Sequence, residues 1–180
     1  MVQAGVLRQC PVCDGYEAQG KRIAVIGALP GTAGEALFLR SYSGDVTVVT
    51  LGAQLSVENT TREQLSGWSI PVVETPVTAV DAGVGHGVTV RFEGGGETSF
   101  DMAYSAMGVD VRLPEVAGLT VTSDGRVVTG EGQETSIRGL FAAGDSVTGL
   151  NQIGVAMAQG EVAAVAIHNR LRVAEGLAAY

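Results

Sequence analysis

The sequence has few basic residues, few cysteines and no long apolar segment, and each shortage excludes a class of protein. Its 11 lysines and arginines face 19 aspartates and glutamates, which gives a formal net charge of −8. A surface this acidic is unsuited to nucleic acid or to an anionic membrane. No apolar run approaches the roughly 20 residues of a membrane span, and the N-terminus shows no signal-peptide core. We therefore expect a cytoplasmic protein with neither nucleic acid nor membrane as a partner.

The composition fits a folded chain that is rich in tight turns. Hydrophobic residues make up 46% of the 180 residues and charged residues 17%, a balance that allows a buried core and argues against disorder. The 26 glycines are about twice the usual share. Such an excess indicates tight turns and close backbone approaches rather than long helices.

Cys10 and Cys13 are the only cysteines, and they form one C-x-x-C motif. A structural zinc site needs four ligands, and neither His86 nor His168 has a histidine partner at finger spacing, so no metal site is expected. A purely structural disulfide is disfavoured in a reducing cytosol.

A redox dithiol is the remaining interpretation of this motif. Two sulfurs within one turn at a helix start suit it, because the N-terminus of a helix stabilises a thiolate. Asp14 follows directly and can exchange a proton with a neighbouring sulfur, and Arg8 is a candidate support for a thiolate.

Residues 21–51 have the pattern of a βαβ unit. KRIAVIG (21–27) and DVTVVTL (45–51) are typical of buried parallel strands. Thr32 and Glu35 between them have capping-box spacing, which predicts the start of the intervening helix. The unit predicts a parallel sheet with a right-handed crossover.

Further along, the pattern predicts short strands and one long helix. The glycine-rich EGGGE (93–97) suggests a hairpin, and GLFAAG (139–144) is a small-residue strand candidate. Residues 151–172 show apolar positions at helical spacing, an apolar stripe. The predicted strands span 70–73, 77–80, 88–92, 98–102 and 104–108, and the stripe comprises Ile153, Met157, Gly160, Ala164, Ile167 and Leu171.

The loop after the first strand departs from the dinucleotide fingerprint G-x-G-x-x-G. Gly27 fills the first position, but Leu29 and Thr32 take the second and third, with Gly31 between them. The second strand runs into TLGAQ (50–54), without the acid of NAD sites or the arginines of NADP sites. Gly27, Gly31 and Thr32 are the candidate nucleotide contacts, and the departures argue against an ordinary NAD(P)H-driven enzyme.

Three stretches together resemble the thioredoxin-reductase-like flavoproteins of the pyridine-nucleotide disulfide oxidoreductases. They are CPVCDGYE (10–17), RIAVIG (22–27) with the helix that follows it, and a long C-terminal stretch (135–171). The resemblance implies an α/β fold: a three-layer, Rossmann-like nucleotide-binding domain plus the C-terminal part of an FAD-binding domain. The implied divisions are a dithiol-containing entry segment (1–19), the Rossmann-like domain (20–108) and the FAD-binding segment (109–180).

The resemblance also implies roles for the dithiol. Cys10 would exchange with an external disulfide, Cys13 would face the flavin, and Asp14 would act as the acid/base. Electrons would pass from reduced flavin to the disulfide and then to a substrate disulfide. In reverse, a dithiol substrate would be oxidised and its electrons passed to flavin and oxygen.

For FAD, the resemblance implies contacts in the C-terminal stretch. Gly144 and Asp145 match a Gly-Asp pair whose aspartate binds the ribityl chain. Gln152 and Ile153 match the start of the last helix, whose N-terminus points at the isoalloxazine. A helix dipole there stabilises negative charge on the reduced ring.

No strand–G-x-G-x-x-G–helix element precedes Cys10, and in the family that element holds the ADP part of FAD. The sequence therefore predicts half of a flavin site and an isolated chain that is not self-sufficient. Two hypotheses remain: a truncated FAD-dependent disulfide oxidoreductase acting on a disulfide or dithiol substrate, or a non-catalytic Rossmann-like remnant or regulatory module without bound FAD or NADPH. The apolar stripe predicts a homodimer.

Overall fold

The computed structural model describes residues 5–83 and 87–177. His86, considered above as a zinc ligand, lies outside the described residues. The chain divides into two compact units, of which the first ends at Gly108 and the second begins at Val109.

A five-stranded parallel sheet forms the centre of the first unit. Its strand order is β1-β8-β2-β3-β4, so the last strand of the unit inserts between the first two. Every neighbour pair is parallel, as the predicted βαβ unit requires. The strands are β1 (Leu7–Arg8), β2 (Arg22–Ile26), β3 (Asp45–Val49), β4 (Val72–Val73) and β8 (Met102–Ser105).

The two faces of this sheet are covered by different layers. Helices α1 (Pro11–Asp14), α2 (Pro30–Leu39) and α3 (Asn59–Gly67) connect its strands, and an antiparallel meander of β5 (Val77–Gly83), β6 (Gly87–Phe92) and β7 (Glu97–Phe100) precedes β8. Since side chains alternate between the faces of a strand, the three central strands β8, β2 and β3 contribute to both cores. The core on the helix side contains Ile23, Val25, Met102 and Tyr104, and the core on the meander side contains Ala24, Ile26, Ala103 and Phe100.

This architecture confirms the expected α/β fold with three layers. The predicted EGGGE hairpin is also present, because β6 and β7 pair antiparallel across it. β1 and α3 were not predicted, since a two-residue strand and a polar helix leave little periodic signal.

The predicted capping box is wrong. Helix α2 begins at Pro30, with Leu29 as its N-cap, because a proline at the first helical position is already set for helix geometry. Thr32 therefore lies inside the first turn, and its hydroxyl donates to the carbonyl of Ala106 at 3.1 Å. One carboxylate oxygen of Glu35 is buried with no hydrogen-bond partner.

The described part of the second unit consists of extended loops, a one-turn 3-10 helix (Gly144–Ser146) and one long helix, α4 (Ile153–Ala174). The predicted strand at 139–144 is not formed; Phe141 makes only an isolated bridge with Glu134, because no strand runs alongside it in the described part of this unit. The predicted long helix (151–172) is confirmed as α4, which begins and ends two residues later in the chain.

Helix α4 exposes the apolar stripe. Ile153 is 82% exposed, Met157 63% and Leu171 57%, whereas Ala163 is the buried residue of the helix. Within the described residues, no helix combines the length and apolar character needed to cross a membrane.

Candidate redox-active site

Cys10 and Cys13 form a disulfide at the start of α1, with their Cα atoms 5.3 Å apart. Cys10 is the N-cap residue, and Pro11 at the first helical position fixes the turn. The backbone amide of Cys13 donates to the Cys10 carbonyl at 3.0 Å, which closes the turn and brings the two side chains together.

The dithiol turn lies at the surface. Cys13 is exposed and Cys10 half-buried, while Val12 between them is 66% exposed. Exposure alone therefore does not mark Cys10 as the sulfur that exchanges with a substrate.

Asp14 receives a hydrogen bond on each of its carboxylate oxygens. The Tyr104 hydroxyl donates to Oδ1 at 2.8 Å, and Arg8 donates from Nη1 to Oδ2 at 2.8 Å. Arg8 also donates from Nη2 to Oε2 of Glu17 at 2.6 Å and from Nε to the carbonyl of Gly5. The Arg8 guanidinium thus links Asp14, at the end of the dithiol turn, to the backbone just before β1.

The parallel sheet is what brings these groups together. In the register of β1 with β8, Arg8 is paired with Tyr104, so both side chains leave the sheet on the same face. That face is the helix side, where Tyr104 is fully buried. Asp14 is the last residue of the short helix α1, which packs over this face. Its carboxylate therefore accepts hydrogen bonds from both Arg8 and Tyr104.

Both donors hold their protons more firmly than usual. Burial, and then the hydrogen bond to Asp14, raise the pKa of Tyr104 well above its ordinary value. The hydrogen bond to Asp14 raises the pKa of Arg8, against a smaller opposing effect of burial. Neither group titrates in the range where thiols exchange, so Asp14 keeps two donors across that range.

Sequence reasoning found part of this site. The cysteines, Asp14 and Arg8 were all candidates, and the structure brings Asp14 and Arg8 into direct contact. Tyr104 was missed. The sequence does carry a sign of its role, a tyrosine within a strand expected to be buried. A buried phenolic hydroxyl requires a hydrogen-bond partner, so such a tyrosine indicates a polar group nearby.

The loop after β2 uses two of its three candidate nucleotide contacts internally. A Cβ at Gly27 would lie 2.3 Å from the Ala106 carbonyl oxygen, so this glycine permits close approach of β2 to the chain after β8. The Thr32 hydroxyl is bonded to the same carbonyl. Gly31 has open space beside it, and Leu29 is 47% exposed at the N-cap of α2. A nucleotide role for these residues remains a prediction.

A cleft of about 700 Å³ opens beside this loop, between Pro30 and the segment joining β3 to α3. Its one arginine, Arg62, donates to Glu74 at 2.7 Å and to the Leu55 carbonyl at 2.9 Å. The Leu55 amide and Arg62 together lower the pKa of Glu74. Since Arg62 is paired, the residues lining the cleft offer no free cation for the extra phosphate of NADP.

In the second unit, the candidate flavin contacts lie on two linked segments. Gly144 and Asp145 belong to a one-turn 3-10 helix, and the Gly144 amide donates to the Gln159 side chain of α4 at 2.8 Å. Arg126 donates both to the Asp145 carbonyl and to the Asn151 side chain. These bonds join the turn to the start of α4.

The donors and acceptors at these segments fit part of a flavin. Asp145 is exposed, and its carboxylate has no partner among the residues the structure describes. It can accept hydrogen bonds from a polyhydroxy chain. Gln152 is the N-cap of α4 and Ile153 its first residue, where the helix dipole favours an electron-rich ring. The fit concerns the ribityl and ring portions of FAD.

Sequence comparison with known proteins finds relatives named alkyl hydroperoxide reductase and thioredoxin reductase. An alkyl hydroperoxide reductase protein of Pseudomonas putida is 29% identical over 171 residues, covering 90% of this chain and 33% of that protein. Thioredoxin reductase of Bacillus subtilis (strain 168) is 26% identical over 171 residues, covering 89% of this chain and 54% of the relative. The chain thus spans about a third to a half of the curated relatives it matches.

The fold has solved counterparts as well. The crystal structure of thioredoxin reductase from Streptococcus pyogenes MGAS5005 superposes with a TM-score of 0.82 at 24% identity, covering 93% of this chain and 58% of that one. The family model described as pyridine nucleotide-disulphide oxidoreductase matches residues 3–160. With the C-x-x-C disulfide and the parallel sheet in place, the chain belongs to the pyridine nucleotide-disulphide oxidoreductase family.

Proposed function

We propose that this chain is part of a thioredoxin-reductase-like, FAD-dependent thiol–disulfide oxidoreductase in which electrons pass between flavin and the Cys10–Cys13 pair. The observation that carries the proposal is the Cys10–Cys13 disulfide followed at once by Asp14, whose carboxylate is held by Arg8 and Tyr104. The relatives named thioredoxin reductase support this class of reaction.

The proposed chemistry is two successive thiol–disulfide exchanges. With a dithiol substrate, one substrate thiolate attacks Sγ of Cys10, the Cys10–Cys13 bond breaks, and Cys13 leaves as a thiolate that takes up a proton through Asp14. The second substrate thiolate then attacks the mixed disulfide, which releases oxidised substrate and the Cys10 thiolate. With a disulfide substrate, the same steps run in reverse.

FAD, when bound, supplies or accepts the electron pair. We assign its contacts to Gly144, Asp145, Gln152 and Ile153, on the fit described above. The loop with Leu29 at its second fingerprint position and the paired Arg62 do not support NAD(P)H as the reductant. Whether the protein reduces disulfides or oxidises dithiols depends on the partner of the flavin.

Flavin binding is tested by the visible absorption spectrum and the thermal midpoint of the purified chain, with and without FAD. Binding leaves a flavin band on the chain after free FAD has been removed by gel filtration. It also raises the midpoint, because a ligand specific to the native state stabilises it. Asp145→Asn is expected to weaken both effects, since an amide is a poorer acceptor for hydroxyls than a carboxylate. Asp110→Asn is the matched control, because Asp110 is exposed and none of the described hydrogen bonds or ion pairs involves its side chain.

The dithiol is tested separately by thiol titration. Reduction should expose two reactive thiols, and Cys13→Ser should leave Cys10 able to form a stable mixed disulfide with a small aromatic disulfide. Thiols that stay unreactive after reduction would contradict the redox proposal. If FAD also fails to bind, the alternative of a non-catalytic Rossmann-like remnant or regulatory module is favoured instead.

We further propose that the chain forms a homodimer through the apolar stripe of α4, on the exposure of Ile153, Met157 and Leu171. Exposed apolar surface of this extent is typical of interaction sites. The substrate is proposed to be a protein or small-molecule disulfide or dithiol, and the cytoplasmic location stays a prediction.

A further inference from the structure

We propose that Tyr104 and Arg8 are positioning residues that hold the Asp14 carboxylate in the orientation from which it exchanges a proton with the dithiol. The inference rests on the proposed function, in which Asp14 is the acid/base of the exchange. It assigns a role to Tyr104, a residue 90 positions away from Asp14 along the chain.

The hydrogen bonds fix the carboxylate at both ends. Tyr104 donates to Oδ1 and Arg8 to Oδ2, each at 2.8 Å, so rotation of the carboxylate would break one bond or the other. A carboxylate can accept about four hydrogen bonds. Each oxygen of Asp14 therefore retains a lone pair for a proton that travels to or from sulfur.

The two donors are themselves rigid. Tyr104 is fully buried within β8, and Arg8 is paired with it in the sheet register. Arg8 is held further by the Gly5 carbonyl and by Glu17. Side chains anchored in a sheet lose little additional freedom when they bind Asp14, which favours a single orientation of the acid.

The charged and titratable groups around Asp14 come from every element packed there. From β1 comes Arg8, from the turn after α1 comes Glu17, and from β8 comes Tyr104, besides the two cysteines. Helix α2 also contacts α1 and carries Glu35, and the Tyr42 ring beyond its end packs against Gly15. Arg8 is the cation shared by Asp14 and Glu17, so its removal leaves two neighbouring carboxylates uncompensated.

The step in question conserves atoms and electrons. A thiolate of dithiothreitol attacks Sγ of Cys10, and the electron pair of the broken S–S bond goes to Sγ of Cys13. The Cys13 thiolate then takes up a proton that passes from solvent through the Asp14 carboxylate, and Asp14 ends the step as it began. A second dithiothreitol thiolate releases Cys10, which gives a reduced protein and oxidised dithiothreitol.

The test measures the rate of Cys10–Cys13 reduction by dithiothreitol between pH 5 and pH 9.5, divided by the thiolate fraction of the reagent. In Tyr104→Phe we expect the rate at neutral pH to fall about tenfold, because Asp14 loses one of the two hydrogen bonds that orient its carboxylate.

Further variants separate positioning from packing. Arg8→Met should show a similar change and Arg8→Lys a partial rescue. Tyr42→Phe, which removes a nearby phenolic hydroxyl that makes none of the described hydrogen bonds to Asp14, should match the parent. In an Asp14→Asn background, Tyr104→Phe should cause no further change in the pH profile, because its effect passes through Asp14. Urea unfolding of each variant confirms that the fold is intact.

Each outcome decides one of the two proposals. If Asp14→Asn leaves rate and profile unchanged, the acid/base role of Asp14 fails, and the positioning role fails with it. If Asp14→Asn changes them but Tyr104→Phe and Arg8→Met do not, the positioning inference alone is overturned. A Tyr104→Phe effect that persists in the Asp14→Asn background also overturns it.

Discussion

Gly27 lies where the end of β2 passes closest to the chain that follows β8. A Cβ there would approach the Ala106 carbonyl oxygen to 2.3 Å. Because both the Cα of residue 27 and this carbonyl belong to the backbone, the clash cannot be removed by rotating a side chain. We expect Gly27→Ala to lower the free energy of unfolding by about 2–3 kcal/mol, the upper range for overpacking. Urea denaturation with an unchanged m-value would measure the loss.

Gly34 is the matched control for this substitution. It is exposed within α2, and nothing lies within 4 Å of a Cβ built there. Gly34→Ala should therefore raise stability by about 0.5–1 kcal/mol, through better helix propensity. If the two substitutions changed the free energy of unfolding equally, the close approach to the Ala106 carbonyl would not be the reason for a glycine at position 27.

Glu35 makes the stability of the first unit depend on pH. Burial raises the pKa of its carboxyl, and one of its oxygens has no hydrogen-bond partner. A carboxyl whose folded pKa lies above its unfolded pKa costs stability as pH rises from the unfolded value through the folded one. Below the unfolded pKa this cost is absent.

Glu35→Gln should consequently raise the thermal midpoint at pH 7 and change it less at pH 4. Thermal unfolding followed by circular dichroism at both pH values measures the difference. Glu63→Gln, on the exposed side of α3, is the control and should show no such pH dependence. A stabilisation of equal size at both pH values would contradict the role of ionised Glu35.

Among the secondary-structure elements, helix α2 is connected to the segment after β8 through Thr32. The Thr32 hydroxyl is buried and donates to the Ala106 carbonyl. Thr32→Val keeps the shape and removes the donor, so we expect a loss of about 1–3 kcal/mol from the unsatisfied carbonyl. Thr32→Ser keeps the donor and should cost about 0.8 kcal/mol for the lost methyl group.

Chemical denaturation of both Thr32 variants decides between a hydrogen-bonding and a packing role. If the serine variant is the less stable of the two, the link between α2 and Ala106 contributes through its methyl contacts instead.

For the molecule as a whole, the exposed stripe of α4 predicts self-association. Met157 and Leu171 are 14 positions apart, about four helical turns, and therefore lie on one face. The double variant Met157→Glu/Leu171→Glu should shift a concentration-dependent dimer to monomer in light scattering at micromolar concentration. Carboxylates cannot be buried in an apolar interface without partners.

Val121→Glu provides the comparison, because this valine is 46% exposed but lies outside α4. It should leave the molar mass unchanged. A parent chain that is monomeric throughout the micromolar range would overturn the proposed homodimer.

The elements with strong local patterns could be predicted from the amino-acid sequence alone. β-branched runs bounded by glycine predicted β2 and β3, and helical spacing of apolar residues predicted α4. The EGGGE turn predicted the β6–β7 hairpin, and the C-x-x-C motif with its following acid identified the dithiol turn. These features are local, because residues a few positions apart produce them.

The meeting of distant segments, in contrast, depends on the tertiary structure. The insertion of β8 between β1 and β2 pairs Arg8 with Tyr104, and the shared face of that pair delivers two donors to Asp14. It also fixes the partner of Thr32, because Ala106 reaches the first turn of α2 only when β8 lies beside β2. Strand order depends on burial over the whole chain, and no short stretch of sequence records it.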